Sequence, residues 1–118
     1  MRKLDNLELV KVTRFLRGKA RDLDAPIWKA LAERLEKSKH KRCVVNLSHI
    51  NRHTEDSETV TVPGKVLGAG TLDHKVSIAA FCFSEEARRR IEAAGGACLT
   101  FSALVEKNPK GENLKIIG

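Results

Sequence analysis

The sequence predicts an α/β fold in which strands and helices form separate layers and two helices lead the chain. Three observations predict it. Apolar residues recur at three- and four-residue spacing through the first 42 positions, the period of amphipathic helices. At Cys43 the pattern changes to short β-branched runs bounded by polar or glycine-containing segments. A strand end, a small polar residue and a helical segment then recur at Leu47-Ser48, Phe83-Ser84 and Phe101-Ser102. Their spacing is irregular, so the repetition is supersecondary rather than an internal sequence repeat. At 118 residues the chain fits a single domain, 1–118, with a basic helical N-terminal part (1–42) and a strand-rich core (43–118).

Residues 5–23 read as a helix, with Leu9, Val12, Leu16, Ala20 and Leu23 on one face. Lys11, Arg14, Arg17 and Arg21 fall on the opposite side, so the polar face is almost purely cationic. Leu7 and Val10 lie near that basic face, which points to another surface meeting it. Asp24 and Pro26 open a second helix running to Lys37, because both residue types favour helix starts. Its apolar stripe is Ile27, Leu31 and Leu35, with Trp28 beside it. Residues 43–47 read as a strand that leads at Ser48 into a short helical turn. Polar and apolar residues alternate over 58–62, which predicts a strand ending at a glycine-rich turn. The near-continuous apolar run 76–83 predicts a buried strand. Ser84-Glu85-Glu86 is a strong helix start, combining a capping hydroxyl with acids at the positive end of the dipole. That helix stops at Gly95-Gly96. Residues 97–100 read as a strand, and Ser102 as the cap of a short helix to Lys107. Asn108-Pro109-Lys110-Gly111 turns the chain, and 114–117 close it as a strand.

The formal net charge is +7. Residues 1–43 hold 13 Lys and Arg against 6 Asp and Glu, whereas residues 44–80 hold 3 against 4 and residues 81–118 hold 6 against 5. The excess therefore sits in the first third. A localised cationic field favours a polyanion, nucleic acid before membrane. One Trp, no Tyr and four Phe, three of them in core-like runs, leave little to stack bases. Recognition of folded nucleic acid by backbone and shape fits better. No apolar run reaches the roughly 18 residues that cross a bilayer. The start, Met-Arg-Lys, shows no signal-peptide pattern. Cys43, Cys82 and Cys98 are odd in number and set in apolar runs, which predicts buried, reduced thiols in a cytoplasmic protein.

The segment 61–71, Thr-Val-Pro-Gly-Lys-Val-Leu-Gly-Ala-Gly-Thr, first reads as a phosphate cradle. A P-loop, however, ends Gly-Lys-Ser/Thr and opens a helix. Here Gly64-Lys65 comes first, Val66 offers no hydroxyl for magnesium, and strand-like residues follow. The preferred reading is a glycine-shaped, hairpin-like connection pressed against an RNA backbone through Lys65 and main-chain N–H groups at Gly64, Gly68 and Gly70. His49, His53 and Cys43 lack the paired spacing of a structural zinc site, and the two histidines are assigned to a polar surface beside Asn51 and Arg52. Consecutive Arg88, Arg89 and Arg90 diverge by about 100° on a helix. Each has a glutamate four positions away (Glu92, Glu85 and Glu86, respectively), so the segment reads as locally neutralised. The run 37–42 holds Lys37, Lys39, Lys41 and Arg42 with no acid among them, and reads as a contact to backbone phosphates. No nucleophile elbow, activated cysteine or apolar carboxylate pair is present, so an enzyme is not expected.

The strings Val60-Thr61-Val62-Pro63-Gly64-Lys65-Val66-Leu67-Gly68-Ala69-Gly70 and Val76-Ser77-Ile78-Ala79-Ala80-Phe81-Cys82-Phe83-Ser84 carry a family resemblance. So do Trp28 with residues 32–37, Val45-Asn46-Leu47, Ala94-Gly95-Gly96 and the 108–111 turn. Matching in sequence order and nearly end to end, the chain resembles the archaeal-type large-subunit ribosomal protein family L-eighteen-e, a relative of bacterial ribosomal protein L-fifteen. The resemblance implies a layered core of irregular β-β-α superhelical turns. It also implies binding to large-subunit ribosomal RNA among neighbouring ribosomal proteins, without catalysis or cofactor. Charge and spacing then nominate the RNA contacts: Lys11, Arg14, Arg17, Arg21, Lys37, Lys39, Lys41, Arg42, Arg52 and Lys65, with Gly64, Gly68 and Gly70. The alternatives are a nucleic-acid-binding regulator outside the ribosome and, more remotely, a nucleotide-binding enzyme.

Overall fold

The computed structural model describes residues 6–37 and 43–118. Helices α1 (Asn6–Asp22) and α2 (Pro26–Lys37) come first. Strand β1 (Cys43–Asn46), helix α3 (Leu47–Arg52), and strands β2 (Glu58–Leu67) and β3 (Val76–Phe83) follow. Helix α4 (Glu85–Ala93), strand β4 (Ala97–Leu99), helix α5 (Phe101–Lys107) and strand β5 (Lys115–Ile116) complete the described chain.

The five strands form one parallel sheet in the order β1-β2-β3-β4, with β5 also on β2. β3 follows one edge of β2, from Glu58 to Val66. On the other edge β1 pairs with residues 64–67 and β5 with Val60 and Thr61, so β1 and β5 lie end to end. A parallel sheet needs a crossover after each strand. Helices supply these except between β2 and β3, where residues 68–75 return extended along α3. There Ser48 N–H donates to Ala69 O (3.1 Å), and Asp73 N–H donates to Asn51 Oδ1 (3.1 Å).

The strand pleat sorts side chains between two cores. Val60, Val62, Val66, Val76 and Ile78 close with Leu47, Ile50, Ala87 and Ile91 beneath α3 and α4. On the opposite face Ala79 and Phe81 meet Leu16, Trp28, Leu31, Phe101 and Leu104 from α1, α2 and α5. The two N-terminal helices are therefore a covering layer of the sheet. Trp28 is fully buried, and its indole N–H donates to Pro109 O at 2.8 Å, tying α2 to the turn after α5.

Several expectations change. The strand predicted over 58–62 continues to Leu67, and β2 and β3 are parallel, so Gly64-Lys65 is neither a turn nor part of a hairpin-like connection. Pro63 sits where the register shifts between Val62 and Lys65, and an irregularity of this kind tolerates its missing N–H. Ser84 caps α4 as expected, accepting from Ala87 N–H at 3.1 Å. The cap of α5 is Thr100 rather than Ser102, accepting from Ala103 N–H at 3.0 Å. The three cysteines are free but half-buried rather than buried, and desolvation pushes the Cys43 and Cys98 thiols up.

Candidate nucleic-acid interface

α1 buries Leu9 and Leu16 in the core it shares with α2 and α5, with Thr13 buried on the same side, a spacing that turns residues 11, 14 and 21 outward. Lys11, Arg14 and Arg21 are exposed, and among the described residues no ion pair holds them. Arg17 behaves differently. Its guanidinium reaches across to Glu36 of α2 at 2.6 Å, and that hydrogen bond, then the attraction of the carboxylate, raises its pKa. The expected cationic row is thus three outward cations and one brace between helices. Leu7 and Val10 are large apolar side chains left 57% and 44% exposed near the same row.

A second surface runs along the free edge of β1 and β5. Val44, Asn46, Ser48, His49, Arg52 and Gly118 are among the residues lining a cleft of about 540 Å³ between β1 and α3. The rings of His49 on α3 and His53 at its C-terminal cap lie 4.5 Å apart, tilted by 32°, with Arg52 exposed between them in sequence. Lys115 of β5 donates to His53 O at 3.1 Å and faces Glu58 Oε1 at 3.4 Å. The Arg34 guanidinium of α2 donates to Gly118 O at the end of this edge. Lys37 is exposed where α2 ends, just before this edge. Lys39, Lys41 and Arg42 lie outside the described residues. Sequence reasoning assigned no place to Arg34 or Lys115, and no local pattern could have done so. The pairing of β5 with β2, and the return of Gly118 to Cys43, bring them to this edge.

The glycine-rich segment contributes little open surface. Gly64 is buried beside β1, where an added Cβ would lie 2.1 Å from Cys43 O. Gly68 is buried against the start of α4, with Ala87 N at 2.9 Å from the same imagined atom. Glycine serves here to admit another part of the same chain. Gly70 is exposed with φ +88°, and its carbonyl accepts from Arg90 at 2.6 Å. Lys65 is a half-exposed mid-strand residue opposite Val44 and Cys82. A phosphate cradle at a helix start is thereby removed.

Two of the three arginines of α4 are engaged at home, though not in all the pairs the sequence implied. Arg90 pairs with Glu86 at 2.8 Å, and Arg88 lies over the Phe83 ring at 5.3 Å. Among the described residues, no ion pair joins Glu85 to Arg89 or Glu92 to Arg88. No group of three or more His, Cys, Asp or Glu able to hold a metal occurs among those residues. Among them, too, no helix is long and apolar enough to cross a membrane.

Comparison with known proteins finds relatives along nearly the whole chain. The chain is 53% identical over 112 residues to the large ribosomal subunit protein eL18 of Methanothermobacter thermautotrophicus, covering 95% of this chain and 93% of the relative. It is 48% identical over 93 residues to the eL18 of Methanococcus maripaludis (79% and 78% covered). It is 43% identical over 117 residues to that of Methanopyrus kandleri (95% and 92% covered). A family model described as "Ribosomal protein 60S L18 and 50S L18e" matches residues 3–118. Because that match and the relatives agree across nearly the whole length, the chain belongs to the ribosomal protein family 60S L18 and 50S L18e.

Proposed function

We propose that this structural constituent of the large ribosomal subunit binds and stabilises folded ribosomal RNA, mainly through backbone phosphates. Its family is one of ribosomal structural proteins of the cytoplasmic ribosome, not of enzymes. The observation that carries the RNA reading is the row Lys11, Arg14 and Arg21, exposed on α1 without acidic partners among the described residues. A charge left unpaired by its own fold is free to replace the counterions of a phosphate. Lys37 and Arg52, exposed at the second surface, are further phosphate contacts, as are half-exposed Lys65 and, from the sequence alone, the run Lys39, Lys41 and Arg42. Gly70 is the one glycine of its segment open to an RNA strand. Leu7 and Val10 meet a neighbouring large-subunit ribosomal protein.

The test is filter binding of the full-length protein to deproteinised large-subunit RNA across a salt series. Log affinity is expected to fall linearly with log salt, by roughly 0.7–0.9 per phosphate neutralised. Replacing Lys39, Lys41 and Arg42 together with Ala is expected to flatten that slope by about 2–3. An unchanged slope removes the run from the interface. Binding that is indifferent to salt overturns the phosphate reading.

A further inference from the structure

The sequence contains eight glycines, and seven have a reason inside the described fold. Gly64, Gly68 and Gly96 are approached by backbone atoms within 3.0 Å of where a Cβ would stand. Gly70, Gly95, Gly111 and Gly118 hold positive φ. Gly18 has neither reason. It lies inside α1, outside the positive-φ set, and among the described residues an added Cβ would meet only the Arg21 guanidinium, at 3.9 Å. That is an ordinary van der Waals distance. Glycine is also the poorest helix residue after proline. The fold thus carries a weak residue at the thirteenth position of a 17-residue helix without using it.

Its position gives the use. Helical spacing puts Lys11, Arg14, Gly18 and Arg21 on one stripe, with Arg14 one turn before the glycine and Arg21 one turn after it. At 1.5 Å per residue the two arginines stand roughly 10 Å apart along the axis. At Gly18 the half-exposed backbone carries no side chain of its own; the Arg21 guanidinium lies beside it, and the flanking charges are positive. Those dimensions and that charge suit one polyanionic strand crossing the helix. An apolar protein partner would find no side chain at this point to pack against and two cations to desolvate.

We infer that Gly18 is a notch in the cationic face of α1, across which a sugar–phosphate strand of ribosomal RNA passes in van der Waals contact with the helix backbone while Arg14 and Arg21 hold phosphates on either side. This rests on the RNA-binding reading above and adds a steric requirement to it. Folded RNA is recognised largely by shape and backbone, and a notch of this kind makes shape matter at one residue.

The experiment compares Gly18→Ala, Gly18→Leu and the Arg14→Ala/Arg21→Ala pair in the full-length protein. Thermal melts of the free proteins and salt-dependent filter binding to deproteinised large-subunit RNA are read together. Gly18→Ala is expected to melt above the parent yet bind RNA less tightly. Gly18→Leu is expected to lose tenfold or more in affinity. Neither removes a cation, so both should keep the parent's salt slope, whereas the arginine pair flattens it. Full affinity in Gly18→Leu, with a flattened slope in the arginine pair, overturns the notch and leaves RNA binding standing. No effect of the arginine pair removes α1 from the RNA surface and the notch with it. A lower melting temperature for Gly18→Ala shows that the fold does need this glycine, and overturns the inference. Normal RNA binding by Gly18→Leu with failed incorporation into subunits assigns the notch to a protein and overturns it as well.

Discussion

Helices α1 and α4 cover opposite faces of one sheet and carry three arginines each, yet they present opposite surfaces. α4 holds Glu85, Glu86 and Glu92 beside its arginines, pairs Arg90 with Glu86 and lays Arg88 over Phe83. α1 adds Lys11 and Lys19 to its arginines, has only Glu8 and Asp22 against them, and leaves Lys11, Arg14 and Arg21 outward and unpaired. The difference teaches that a nucleic-acid surface is defined by the cations left over after the fold has used its own. Three consecutive arginines look more like an RNA patch than three spread over two turns of helix. The physical reading reverses that order.

The largest expected effect tests what the two helices share. Leu16 of α1 and Ile91 of α4 are both fully buried, in opposite cores. Leu16→Ala and Ile91→Ala should each cost about 2–5 kcal/mol in urea unfolding. A loss well below 1 kcal/mol for Leu16→Ala would show that α1 is not anchored as a layer of the sheet, and the comparison would collapse.

Next comes the contrast itself. Replacing Lys11, Arg14 and Arg21 with Ala should flatten the salt slope of RNA binding by about 2–3 and weaken affinity on the order of tenfold or more. The same treatment of Arg88, Arg89 and Arg90 should leave the slope within about 1 of the parent. Equal effects in filter binding would erase the distinction between the two surfaces. The smallest expected effect concerns a charge on neither helix. Glu58 is held below its ordinary value of 4.5, chiefly by the Glu55 N–H and then by Lys115. A depressed carboxyl stabilises the fold above its unfolded value and loses that contribution as pH falls through the folded one. Glu58→Gln should therefore melt slightly lower at pH 7 and converge with the parent in acid. A gap that persists at low pH would mean that geometry rather than charge sets it.

Much of this was legible in the chain. The face of α1 that carries Leu9 and Leu16, and the start of α2 at Pro26, follow from neighbours three and four positions apart. The run 76–83 and the Ser84 cap were equally plain, because a buried strand and a helix start each leave a local signature. Pro63-Gly64 misled, since proline and glycine usually mark a turn. Here they permit an irregularity and the approach of Cys43 O from a strand far away in sequence. Thr100 and Ser102 are both capping residues two positions apart, and only the backbone chooses Thr100. The candidate site divides in the same way. The excess charge of the first third and the outward row on α1 could be read directly, whereas the edge formed by Arg52, His53, Lys115 and Gly118 could not.

The sequence by itself determined the two periodicities, the localisation of charge and the family, because each is written in residue spacing and identity. The tertiary structure alone decided which cations remain available and which glycines are spoken for. Arg17 meets Glu36 nineteen positions away, and Gly64 meets Cys43 on the neighbouring strand. Neither encounter has a local signal, because each depends on elements packed together by cores that lie on different sides of the sheet.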